Sequence, residues 1–143
     1  MSADCCTSDD NIMILVCSGG SNAGQLSNQV ALDLTQEGFG KMCCLAGIGG
    51  RLSEFVQSAK DVPAVVAIDG CQVGCAKAIL ENAQVPMKHY LVITDEGIEK
   101  NKNFNLDRAD IDSVKAAVKR VVSQSGPTEE TPSPAGCGCK SCC

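Results

Sequence analysis

Short continuous apolar runs alternating with helix-periodic stretches constrain this chain more than any other property. Residues 12–17, Ile-Met-Ile-Leu-Val-Cys, read as a strand buried on both faces, because no polar alternation marks a solvent side. A Ser-Gly-Gly-Ser-Asn turn follows, with Ser21 or Asn22 suited to cap a helix. Leu26, Val30 and Leu34 then recur at helical spacing until Gly38 and Gly40 end the helix. The cycle repeats. Residues 41–45 read as a second strand closed by a glycine turn at 47–50, and Leu52, Phe55 and Val56 mark a short helix ending near Lys60. Residues 64–68 give a third strand terminated by Asp69-Gly70, then a helix from about Cys71 to Asn82. Residues 89–94 give a fourth strand, and Ile111, Val114, Val118, Val121 and Val122 stripe a last helix. Such alternation predicts a three-layer α/β domain: a four-stranded, mostly parallel sheet, helices on both faces, right-handed crossovers and strand order 2-1-3-4.

The domain should occupy residues 11–125, preceded by a flexible segment at 1–10. It is followed by a tail at 126–143 whose Gly, Pro, Ser, Thr and Glu content cannot bury a core. With aromatics at 3% and no tryptophan, that core must be aliphatic. A net charge of −5 without a dense Lys/Arg cluster gives no footprint for nucleic acid. No basic-then-apolar leader opens the sequence, and no apolar run approaches the roughly 20 residues of a membrane span. The expectation is a soluble cytoplasmic protein with no membrane and no nucleic-acid partner.

Eleven cysteines in a reducing compartment point to metal binding or thiol redox chemistry rather than to disulfides. Cys17 falls at the end of the first strand, Cys44 at or near the end of the second and Cys71 just past the third. The intervals 17 to 44 and 44 to 71 are equal, one strand–helix unit each, which places three thiols on one edge of a parallel sheet. Open α/β sheets bind ligands at that edge, where strand order reverses. Cys75, four residues after Cys71, is expected on the same helix face. Helix N-termini beside Cys17 and Cys71 are expected to favour thiolates, the form that binds zinc. Asp69 is expected to orient the loop or accept a hydrogen bond from a nearby N–H. Cys43, pointing opposite to Cys44, reads as a core residue.

In these stretches the chain resembles the DGC-domain family, named for its Asp-Gly-Cys motif. The matching segments are Cys17-Ser18-Gly19-Gly20-Ser21-Asn22-Ala23-Gly24-Gln25-Leu26, Cys44-Leu45-Ala46-Gly47-Ile48-Gly49, and Asp69-Gly70-Cys71 with Gly74-Cys75. The resemblance implies a zinc-binding protein with four cysteine ligands, which fall on Cys17, Cys44, Cys71 and Cys75. They are the same four that spacing selects. The family implies no defined reaction, and the Cys-rich tail is an addition to its pattern.

The primary expectation is therefore a binding protein for Zn2+ or another soft metal or metalloid, acting in sensing, storage or transfer. The alternative is a thiol-dependent redox or sulfur- or metalloid-transfer enzyme using Cys17 or Cys71. The tail at 137–143, Cys-Gly-Cys-Lys-Ser-Cys-Cys, resembles soft-ion chelating clusters, and Cys5-Cys6 could join it. Neither glycine turn matches a phosphate-binding fingerprint. His89, the single histidine, is expected to open the fourth strand away from the thiols, and Thr94 and Asp95 to border them.

Overall fold

A computed structural model describes residues 12–124. The expectations for the two ends, including Cys5, Cys6 and the cysteines at 137–143, lie outside the described residues. Four strands, β1 (Ile12–Val16), β2 (Lys41–Met42), β3 (Ala64–Asp69) and β4 (His89–Val92), form one sheet in the order β2-β1-β3-β4. Every pairing is parallel, so the α/β architecture and strand order read from the sequence are observed. Five helices connect or flank the strands: α1 (Asn22–Gln36), α2 (Leu45–Gly49), α3 (Ser53–Asp61), α4 (Cys75–Asn82) and α5 (Arg108–Gln124).

Side-chain parity along the strands divides the core in two. Ile14 and Val16 of β1, and Val66 and Ile68 of β3, pack beneath α1 and α5 with Leu26, Val30, Leu34, Val114 and Val118. Met13, Leu15, Val65 and Ala67 point the other way, onto Ile48, Ala59 and Leu80 of the α2–α4 layer. Burial on both faces explains why the strands read as continuous apolar runs. At about 1.5–3 kcal/mol per fully buried large aliphatic side chain, this core suffices without a cross-link.

Several boundaries differ from the sequence expectation. The second strand is only two residues long, and Cys43 and Cys44 lie beyond it. The supposed glycine turn at 47–50 is largely helical, because α2 begins at Leu45 and its Gly47 lies against the Phe55 ring. The fourth strand ends at Val92, and residues 93–94 enter a one-turn 3-10 helix, Ile93–Glu96.

Polar contacts fasten α1 to α5. Lys115, largely buried, bonds Glu37, while Arg108 reaches Asp33 at 2.9 Å and Lys119 reaches Glu37 at 2.9 Å. These two lysines hold the Glu37 carboxyl below its ordinary range.

Candidate functional site

Cys17, Cys44, Cys71 and Cys75 all fall at the C-terminal end of the sheet, on the connections that leave β1, β2 and β3. Cys17 extends β1 by one ladder bond, its N–H donating to the Ile68 carbonyl at 3.0 Å. Its own carbonyl accepts from the Ser27 hydroxyl. The thiol lies close under Gly19 and meets the N–H groups of Gly70 and Gly19. Those donors favour the thiolate, but burial outweighs them, and negative charge at Cys75 and Asp69 adds to burial, so ionisation of Cys17 is pushed up. The expected helix-terminus activation of Cys17 is overturned: desolvation wins.

Cys44 is exposed at the N-cap of α2 and makes no capping bond. Cys71 is not helical. It sits in the turn after β3, and α4 begins only at Cys75, so the two thiols do not form a same-face helical pair. Gly74 intervenes in a left-handed conformation, φ 68°, which glycine adopts without a Cβ penalty and which supplies no capping side chain.

Asp69 takes over that capping duty from the end of the neighbouring strand. Its carboxylate, 1% exposed, accepts from Ala76 N–H at 2.8 Å, Lys77 N–H at 3.0 Å and the Tyr90 hydroxyl at 2.9 Å. The expected supporting role of Asp69 is thus found, and its object is the first turn of α4. Burial, followed by the Asp69 hydrogen bond, pushes the Tyr90 hydroxyl well above its usual range and keeps it a donor. Gly70 is required by packing. A Cβ there would stand 2.7 Å from Gly24 N, and one on Gly24 would stand 2.6 Å from Gly19 N, so three backbones meet with no room for a methyl group.

Sequence reasoning missed the segment that crosses this edge between the 3-10 helix and α5. Asn22 grips it twice through its side chain, donating to Glu99 O at 2.8 Å and accepting from Asn101 N–H at 2.6 Å. The Asn22 N–H adds a bond to Asn101 O at 3.0 Å. Lys102 reaches the Gly20 carbonyl, and Lys100 donates to the Cys71 sulfur at 3.3 Å. The contacts of Asn22 and Gly20 join residues about eighty apart in sequence, that of Lys100 with Cys71 spans 29, and no local periodicity announces them. Thr94 and Asp95 do border the edge: Thr94 N–H meets Gly70 O at 3.3 Å, and Asp95 accepts from the Gln72 amide. His89 is buried at the opposite end of the sheet, as expected, and Cys43 packs against the α2–α4 core.

The donor chemistry suits a soft ion, but in this arrangement the sulfurs are not gathered around one. Among the described residues, no three of His, Cys, Asp and Glu stand close enough to hold a common metal. The side chains as placed are therefore not a closed tetrathiolate centre.

Fold and site together define a class: an open parallel α/β domain bearing several thiols at the sheet edge where such folds bind ligands. The chain belongs to the DGC domain family, which it matches over residues 13–118. It is also similar to the anaerobic and virulence modulator AnvM of Pseudomonas aeruginosa, with 29% identity over 114 residues, covering 80% of this chain and 87% of that one. No solved structure matches it. No helix among the described residues is long and apolar enough to cross a membrane.

Proposed function

We propose that this DGC-family protein captures a soft metal ion, zinc foremost, on Cys17, Cys44, Cys71 and Cys75 in the reducing cytoplasm, and that capture serves regulation rather than turnover. The observation that carries the reading is the delivery of four thiols to one sheet edge by three successive strand–helix connections. The ion is cargo or signal, so the sulfurs close on it when it arrives. Two of them, Cys44 and Cys75, are exposed and free of regular strand pairing, which suits that movement. Four thiolates around Zn2+ would leave no open coordination position, poor for Lewis-acid catalysis. A relative named as a modulator fits a regulatory role.

A thiol enzyme is the second reading, and one contact favours it: the ammonium of Lys100 beside Cys71. Cys17, held back by burial, is the weaker nucleophile of the two.

Native mass spectrometry of the full chain, with the cysteines at 5, 6 and 137–143 changed to serine, tests the metal reading. One zinc per chain is expected, with loss of the ion in Cys17→Ser and Cys71→Ser. A chain that takes up no zinc, or uptake indifferent to both substitutions, overturns it.

A further inference from the structure

Lys100 and Cys71 form a nucleophile pair that soft-ion capture does not explain. The Lys100 amine lies 3.3 Å from the Cys71 sulfur. Its backbone is pinned on both sides, since Asn22 holds Glu99 and Asn101 through three hydrogen bonds and Lys102 is tied to Gly20. The lysine thus stands on a fixed platform above the thiol rather than on a wandering loop. Lys100 is exposed and Cys71 half-buried, so a reagent in solution reaches both.

We propose that Lys100 is an acylation site charged through Cys71, with short-chain acyl thioesters as the acyl donors. In the first step the Cys71 thiolate attacks the donor's carbonyl carbon. A new C–S bond forms, the old one breaks, and the donor leaves as its own thiolate. In the second step the Lys100 amine, having given one proton to solvent, attacks the Cys71-bound carbonyl carbon. The C–N bond forms as the C–S bond breaks, Cys71 returns as thiolate, and the amide nitrogen sheds its second proton to solvent. Both steps are acyl transfers that need no oxidant or reductant. With its nitrogen 3.3 Å from the sulfur, Lys100 neighbours the carbonyl carbon that the sulfur would carry, and such proximity turns a slow bimolecular acylation into a fast intramolecular one. The product removes a positive charge from the thiol edge, which makes the modification a means of tuning that edge.

The test is incubation of the full-length, metal-free protein with acetyl-coenzyme A in mildly alkaline buffer, followed by peptide mass spectrometry over time. Lys100 is expected to acetylate at least about tenfold faster than the exposed references Lys60 and Lys88, in line with the gain from proximity. Cys71→Ser is expected to abolish that excess. Lys100→Arg is expected to trap a hydroxylamine-sensitive acyl group on Cys71. Acetylation of Lys100 at the rate of the reference lysines, or an excess that survives Cys71→Ser, overturns the proposal. Circular dichroism of both variants confirms that they remain folded.

Discussion

Asp69 shows how one carboxylate organises the motif that carries it. Its three donors, two backbone N–H groups and a phenol, lose their acceptor once it is removed, and the Ala76 N–H among them is buried. Stranding buried donors costs about 1–3 kcal/mol each when nothing relaxes, so Asp69→Ala should lose about 3 kcal/mol in urea unfolding. Tyr90→Phe, which removes one donor of the three and leaves the two backbone N–H groups on the carboxylate, should lose about 1 kcal/mol. Cys17 carries a prediction of opposite character. Because burial pushes its ionisation up, iodoacetamide at neutral pH should modify Cys44 and Cys75 first. Cys17 should catch up only as the pH rises. Equal rates at neutral pH would mean that Gly70 and Gly19 outweigh desolvation after all.

At the scale of elements, the β3–α4 connection is packed directly on the backbone of α1. Gly70→Ala drives a methyl group into the backbone of α1 at 2.7 Å, and overpacking of this kind costs about 1–3 kcal/mol or more. Differential scanning calorimetry should show a lower midpoint for this variant. His89, buried at the start of β4, gives a pH signature. Burial, with the Lys88 charge second, lowers its pKa from the ordinary 6.5. As pH falls below 6.5 the unfolded chain takes up a proton that the native chain refuses, so stability declines through that window. His89→Gln should flatten the decline, as measured by denaturant midpoints across pH.

Strand number, order and direction were legible because double-sided burial writes itself as apolar runs in β1 and β3. The cap of α1 was legible to within one residue: of the two candidates, Ser21 and Asn22, it is Ser21 whose hydroxyl accepts from Gly24 N–H at 3.1 Å. What escaped was non-local or ambiguous. Residues 45–49 carry glycines that suggest a turn, yet tertiary packing on Phe55 makes them helical. Cys71 and Cys75 share helical spacing, yet Gly74 adopts a left-handed conformation and starts the helix late. Lys100 meets Cys71 across 29 residues of chain, a contact that only the folded topology creates.

For the molecule as a whole, two aliphatic cores sandwich the sheet and do not involve the exposed thiols. Stability and the proposed ion capture should therefore be separable. Protein stripped with a chelator should keep its helical circular dichroism and unfold in a single cooperative step. Loss of both on stripping would mean that the metal is part of the fold. The α1–α5 fastening belongs to this scale too: Lys115→Ala leaves Asp33 with Arg108 as its remaining cation and should cost about 2–3 kcal/mol, read by urea unfolding.

The seam where Gly19, Gly24 and Gly70 touch has a mechanical corollary. Main chain pressed on main chain cannot slide, so the stalks bearing Cys17 and the Asp-Gly-Cys turn behave as a rigid jaw. Asp69 ties the tip of α4, with Cys75, to that same jaw, so any closing of sulfurs upon an incoming ion would have to be travelled by the arm that runs from Cys44 into α2. A cross-link from the Cys44 arm to the tip of α4 should lock the mouth, whereas one across the seam should leave its opening untouched.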